Sequence, residues 1–304
     1  MLIAVFDIGG TSIKYGIVDE EGNILMDGSF PSEAHIGGEA IIKNVIAKSK
    51  TLQHDWNLDG IAISSAGQID NKAGVVVHAT DNIPGYTGVR IKQSIQDATG
   101  LPVAAENDVN CTALGEYWKG AAMGADDFLC VTIGTGIGGA IFKDGKLYSG
   151  SRFSAGEIGH INLYPGGKAC TCGDSGCLER YASSSALQEM IFDRLGYKME
   201  LKDFFDRLRT GDDECVTLYN RWIDDLTTGL KSIVHILNPE LIVIGGGISA
   251  QGDFLLDPIK ESLSKKIMPN HAASLDVRIA QHGNQANLLG AAKQFLMIKD
   301  GEYG

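Results

Sequence analysis

Apolar residues along the chain fall into two rhythms, short runs that end at glycine and longer stretches with helical spacing. Residues 2–7 (Leu-Ile-Ala-Val-Phe-Asp) predict a buried strand, and a turn at Gly9-Gly10-Thr11 leads into a second strand over 12–18. The same strand–glycine–strand arrangement returns at 128–133, Gly134-Thr135-Gly136 and 138–142. Ile8-Gly9 and Ile133-Gly134 stand 125 residues apart, close to a domain length, which is the trace a duplicated domain would leave. Ile41, Ile42, Val45, Ile46 and Leu52 share one helical face ahead of a strand at 60–64. A strand at 103–105 precedes a helix over 109–118, with Asp108 in an N-capping position. A long helix over about 216–237 stops before Pro239, a buried strand follows at 241–244, and 285–298 reads as a last helix. This alternation predicts an α/β protein with mostly parallel, helix-covered sheets and hairpins at the two glycine turns.

Bulk properties narrow the partners. A length of 304 residues suits about two domains, and 44% hydrophobic residues is ordinary for globular cores. The formal net charge is −12 with no lysine or arginine run, so non-specific nucleic-acid binding, which needs a basic face, is not expected. No apolar stretch approaches the roughly 20 residues that span a bilayer, and the N-terminal residues lack a signal-peptide pattern. A cytoplasmic protein without membrane partners is the expectation.

Three glycine turns carry candidate phosphate chemistry. Gly134-x-Gly136-x-x-Gly139 matches a dinucleotide fingerprint in form, but Ala140-Ile141-Phe142 continues as a strand where that fingerprint requires a helix. No Gly-x4-Gly-Lys-Ser/Thr loop is present either. Asp7, at a strand end before Gly9, Gly10 and Thr11, offers a carboxylate for Mg²⁺ beside turn amides and a hydroxyl for phosphate oxygens. A plain hairpin with a strand-end aspartate is the alternative. Turns at Gly134-Thr135-Gly136 and Gly245-Gly246-Gly247 favour the nucleotide site. Lys14 suits either a phosphate contact or a surface ion pair.

The segment Glu157-Ile158-Gly159-His160 and the block Cys170-Thr171-Cys172-Gly173-Asp174-Ser175-Gly176-Cys177-Leu178-Glu179 carry a second signal. His160, Cys170, Cys172 and Cys177 form a closed four-ligand set of the kind structural zinc prefers, and Gly173 and Gly176 let the loop turn tightly. A disulfide is disfavoured in a reducing cytosol. Glu157 and Glu179 are left over for hydroxyl binding or chemistry. Cys111, Cys130 and Cys215 stand singly in apolar or helical settings and read as buried, inert thiols.

Taken in order, Asp7-x-Gly9-Gly10-Thr11-x-x-Lys14, Glu106-Asn107-Asp108-Val109-Asn110, Gly134-Thr135-Gly136, Glu157-x-Gly159-His160, the cysteine block and Gly245-Gly246-Gly247 resemble the ROK family of sugar kinases and sugar-responsive regulators. The resemblance covers most of the chain. It implies two ribonuclease-H-like domains of the actin/hexokinase/Hsp70 type around a cleft, here 1–112 with a C-terminal helix 288–304, and 113–287 with the zinc loop 157–179. It implies transfer of the γ-phosphoryl group of Mg-ATP to a hexose hydroxyl, usually O6, by a dimer or tetramer. Carried over, Asp108 resembles the catalytic base and Asn107 a sugar ligand beside it. Glu157, His160 and Glu179 resemble the readers of sugar hydroxyls, with Gly67 and Asn82 as further contacts. Ala66 and Val109 depart from the proline and alanine of many relatives, which bears on pocket shape. Family regulators carry a helix-turn-helix before the first motif. Here that motif begins at residue 7, so a DNA-binding part is not expected.

Glucose is the first candidate acceptor, with N-acetylmannosamine, fructose, allose and β-glucosides as alternatives. Polyphosphate remains an alternative donor. A non-catalytic sugar sensor is the competing class, although a sensor has no use for a base beside a phosphate cradle.

Overall fold

The fold comes from a computed structural model that describes residues 1–80 and 82–301, apart from the side chain of Asn284. The chain opens with β1 (Leu2–Ile8), β2 (Ser12–Asp19), β3 (Ile24–Pro31), α1 (Gly38–Asp55) and β4 (Gly60–Ser65). Then come β5 (Gln68–Asp70), β6 (Val75–His78), α2 (Ile91–Thr99), β7 (Val103–Asn107) and α3 (Asp108–Lys119). The middle holds β8 (Phe128–Ile133), β9 (Ile137–Lys143), β10 (Lys146–Leu147), α4 (Glu179–Ala182), α5 (Ser184–Leu195) and α6 (Leu201–Arg209). The last part is α7 (Asp213–Leu237), β11 (Leu241–Gly245), α8 (Asp253–Ser264), α9 (Pro269–Ser274), β12 (Asp276–Ile279) and α10 (Ala286–Lys299).

Two compact units result. The first takes Met1–Asp126, Ile141–Ala155 and the chain from Asn284 onward; the second takes Asp127–Ala140 and Gly156–Gly283. Residues 113–126, 141–155 and 284–287 thus lie in the first unit, where boundaries at 112 and 288 had put them in the second. The physical reason is that α3 runs on to Lys119 and packs lengthwise against α10, which belongs to the first unit.

In the first unit the sheet order is β3-β2-β1-β4-β7, with β1, β4 and β7 parallel and the β1–β2–β3 edge antiparallel. Both faces of β1 are covered, so every residue of the strand except Asp7 is apolar. Ala4, Phe6 and Ile8 join a core with Ile41, Val45, Ile91 and Ile95 from α1 and α2. Ile3 and Val5 join the opposite core with Leu288, Leu289, Ala292 and Phe295 of α10. The α3–α10 contact is close because Gly290 faces backbone. A Cβ there would lie 1.7 Å from the Cys111 carbonyl oxygen. Gly290→Ala is therefore expected to destabilise the protein by about 1–3 kcal/mol or more through overpacking, read as a lower urea midpoint.

The second sheet has the order β10-β9-β8-β11-β12, again a hairpin edge followed by parallel β8, β11 and β12. Position for position this matches the first sheet, as the repeated strand–glycine–strand pattern predicted. Helix α7 buries Leu218, Trp222, Leu226, Leu230 and Ile233 along one stripe and packs against α4, α5, α6 and α8. The Trp222 indole N–H is satisfied by the Ser183 carbonyl at 3.1 Å.

Candidate functional site

In the first unit, three sequence motifs meet at the carboxyl ends of the parallel strands, where open α/β sheets bind ligands. Asp7 of β1 pairs in register with Ser64 of β4, and Ser65 with Asn107 of β7. Asp7 is buried, and its Oδ1 accepts hydrogen bonds from Ser64 Oγ at 2.7 Å and Asn287 Nδ2 at 2.9 Å. Asn287 is itself held by Thr112 Oγ1, which donates to its Oδ1 at 2.5 Å. Lys14 faces Asp7 across the hairpin, its Nζ 3.8 Å from Oδ2. Gly10 and Thr11 are exposed at the tip of the turn and Gly9 partly so. Ser32 Oγ steadies the tip by donating to the Gly10 carbonyl at 2.9 Å.

The cap of α3 is Asn107, not Asp108 as the sequence predicted. Asn107 has extended backbone, and its Oδ1 accepts from the amides of Val109 at 2.9 Å and Asn110 at 3.1 Å. Asp108 becomes the first helical residue and is freed from capping. Its Oδ1 accepts from Asn107 Nδ2 and the Val109 amide, both at 2.9 Å, and its Oδ2 has no partner among the described residues. Burial, then the charge on Asp7, push its carboxyl up to about 7 from an ordinary 3.8, against those hydrogen bonds. Asn107 Nδ2 also donates to the Gly67 carbonyl at 2.8 Å. Gly67 and Asn82 line one recess of about 170 Å³ together with Gly10, Ala66, Ala79, Thr80 and Ile83.

In the second unit, the turn Gly134-Thr135-Gly136 follows β8, and Gly245-Gly246-Gly247 ends the neighbouring parallel strand β11, with Gly245 in register with Thr132. Both turns again sit at strand carboxyl ends. The amide of Ser184, at the start of α5, donates to the Gly134 carbonyl at 2.9 Å, so the positive end of a 12-residue helix adjoins that turn.

His160, Cys170, Cys172 and Cys177 bring four ligand atoms within 4.8 Å of one another. Cys170 Sγ lies 3.5 Å from His160 Nδ1 and Cys172 Sγ 3.6 Å from Cys177 Sγ. Bond lengths of about 2.3 Å to sulfur and about 2.0 Å to nitrogen give tetrahedral edges of roughly 3.8 and 3.5 Å, so the set fits one four-coordinate metal. All six cysteines are free thiols, and Cys111, Cys130 and Cys215 are buried as expected. Gly173 and Gly176 adopt left-handed backbone, with φ of 96° and 82°, which brings the three sulfurs to one side of the loop. Burial, then the neighbouring thiols, push Cys177 up to about 12, so a cation is needed to hold all three as thiolates. Glu157 and Glu179 lie outside this four-residue cluster. Glu157 Oε2 lies 3.9 Å from His160 Nε2, the ring nitrogen turned away from Cys170. Glu179 Oε1 lies 3.2 Å from Cys170 Sγ and 3.8 Å from His160 Nδ1.

The family model for ROK matches residues 3–298. The chain belongs to the ROK family. A ROK relative, the glucokinase of Thermotoga maritima, is 33% identical over 302 residues, covering 94% of each chain. The β-glucoside kinase of Listeria innocua is 34% identical over 310 residues, covering 97% of this chain and 98% of its own. A solved ROK glucokinase from Streptomyces griseus, in complex with glucose and AMPPNP, matches with a TM-score of 0.85 at 33% identity over 96% of this chain and 98% of that one. By this kinship the chain is a sugar kinase with the actin/hexokinase-like two-domain fold.

The ROK motifs rest on polar residues to which sequence reasoning gave no role of their own. Glu106 is buried, and its Oε1 accepts from the Asn107 amide at 2.8 Å and Asn110 Nδ2 at 2.9 Å, while its Oε2 accepts from Asn71 Nδ2 at 2.8 Å. Gln294 of α10 donates to the Ala105 carbonyl at 3.0 Å. The available signal was polar residues at apolar positions, Ser64 ending an apolar strand and Gln294 inside an apolar helix face. Asn287 gave no signal of its own.

Proposed function

We propose that this ROK kinase transfers the γ-phosphoryl group of ATP to a hexose hydroxyl, O6 of glucose first among the candidates, with Asp108 as general base. The observation that carries the reading is the Asp108 carboxylate. One oxygen is fixed by Asn107 and a helix amide, no other described residue hydrogen-bonds to the second oxygen, and burial with the charge on Asp7 pushes the carboxyl up to about 7. A sugar hydroxyl is a weak nucleophile. A carboxylate poised near the working pH takes its proton as the new P–O bond forms and the bond to ADP breaks. The proton ends on Asp108.

Around that step the remaining residues take supporting roles. Asn107, Gly67 and Asn82 are assigned to the sugar, and Glu157, His160 and Glu179 to the reading of sugar hydroxyls. The amides of Gly9, Gly10 and Thr11, with Lys14, and the turns Gly134-Thr135-Gly136 and Gly245-Gly246-Gly247 are assigned to the nucleotide phosphates, where oriented N–H groups stabilise negative charge. Mg²⁺, when bound, neutralises charge on the phosphate oxygens. Asp7 suits it through water, having one oxygen anchored by Ser64 and Asn287 and the other facing Lys14. His160, Cys170, Cys172 and Cys177 would hold structural Zn²⁺ through Nδ1 and three sulfurs. That fixes the proton on His160 Nε2, where it can meet a sugar oxygen or Glu157.

The test is ADP release with Mg-ATP and a panel of hexoses, amino-hexoses and β-glucosides, with the phosphorylated position read by NMR. Glucose is expected to give the highest kcat/KM and a 6-phosphate. Sugar binding without ADP release would make the protein a sensor, and a higher kcat/KM on another sugar would displace glucose.

A further inference from the structure

The first unit carries a second cavity, of about 490 Å³, that shares no lining residue with the recess at Gly67. Its wall includes Lys72, Lys92 and Lys146 and no acidic residue, in a chain of net charge −12. Among the described residues Lys72 and Lys146 enter no ion pair. The Lys92 ammonium donates only to the Lys72 carbonyl, at 3.4 Å. An anion would supply the counter-charge that these ammonium groups lack among the described residues. The rest of the wall is mixed. Phe153 and Met297 offer apolar contact, and the hydroxyls of Tyr148 and Ser151 offer hydrogen bonds. A charged end beside a surface of rings and hydroxyls suits a phosphorylated sugar, whose phosphate monoester carries a charge of about −1.5 to −2 near pH 7. The volume lies in the range of small-molecule sites, about 300–1,000 Å³.

The cavity is wired to the base. Asn71, in its wall and itself buried, donates from Nδ2 to Glu106 Oε2 at 2.8 Å, with Ser149 Oγ at 3.5 Å. The other oxygen of Glu106 holds the Asn107 amide and the Asn110 side chain, on either side of Asp108. We propose that this cavity binds a small phosphate monoester of the sugar-phosphate class, and that its occupancy is transmitted through Asn71 and Glu106 to the turn carrying Asp108. Binding stands apart from the proposed activity; only the transmitted effect rests on it.

Isothermal titration with glucose 6-phosphate, glucose 1-phosphate and inorganic phosphate tests this, in saturating glucose and Mg-AMPPNP so that product cannot enter the substrate site. One ester-binding event is expected to remain. The Lys72→Gln/Lys146→Gln double variant should weaken it by at least about tenfold, the scale of one lost charge-assisted contact. These lysines lie outside the proposed substrate site, so the variant should keep the parent's melting temperature and its kcat and KM without ester. Added ester should change kcat in the parent and not in the variant. No residual binding, binding indifferent to the substitutions, or inorganic phosphate binding as tightly as the esters would overturn the site. Binding without any change in kcat would overturn the coupling. If no sugar turns over at all, the kinase reading fails while the titration still decides the cavity.

Discussion

Asp108→Asn lowers kcat for sugar phosphorylation by about 10² to 10⁴ and leaves sugar affinity within about threefold of the parent. Asparagine keeps an oxygen for the Asn107 and Val109 hydrogen bonds, so the turn survives while the proton acceptor is lost. The parent enzyme should show its base in the pH profile. With the carboxyl pushed up to about 7, kcat/KM climbs about tenfold per unit at lower pH and levels off above. Stability runs the other way. The folded-state value lies above the ordinary 3.8, so between about pH 4 and pH 7 the folded protein holds more protons than the unfolded chain, and stability falls as pH rises through that window. The asparagine variant carries no such charge and should gain melting temperature relative to the parent between pH 5 and pH 8. An active Asp108→Asn enzyme, or a flat profile below pH 7, would remove Asp108 from the chemistry.

Loss of the proposed structural metal from the cysteine loop is expected to give the second large effect. Chelation, or Cys172→Ser, should weaken sugar affinity by about 10- to 100-fold, the usual scale for losing a metal site's supporting contacts, and lower Tm by on the order of 5–10 °C. Backbone bonds such as the Cys170 amide to the Asp174 carbonyl at 2.8 Å and the Gly176 amide to the Lys168 carbonyl at 2.8 Å shape the loop, but they do not hold the three sulfurs and the His160 ring to one point. His160 belongs to both the ligand set and the group read as hydroxyl contacts, so loosening one loosens the other. Unchanged Tm and sugar affinity after verified metal removal would end this account. Metal analysis of the purified protein supplies the complementary count.

Where glycine punctuates an apolar run, sequence and structure agree closely. The two hairpins, the strand before Gly245 and the long helix ending at Asn238 were all legible, because left-handed or turn backbone leaves few alternatives. Strand β3 was not legible. Its exposure alternates along an edge that contains Asp27, Gly28 and Pro31, a composition that reads as loop until a neighbour pairs with it. Helix α2 presents only Ile91 and Ile95 to the core and has no side-chain cap. The error at Asp108 has a simple origin. Asn107 and Asp108 are both good caps, and only the extended backbone at the end of β7 decides between them. The candidate site residues could be picked out by type and spacing, whereas Asn71, Asn287 and Gln294 hold their surroundings through contacts across 35 to 280 positions of chain.

The first unit needs residues from both ends of the chain, since α10 covers Ile3, Val5 and Ala62 and supplies Asn287 to Asp7. During synthesis the N-terminal segment therefore leaves the ribosome with one side of its sheet bare. It stays that way until α10 has been made. Premature termination before Ala286 would yield a sticky fragment for chaperones and proteases instead of half an enzyme.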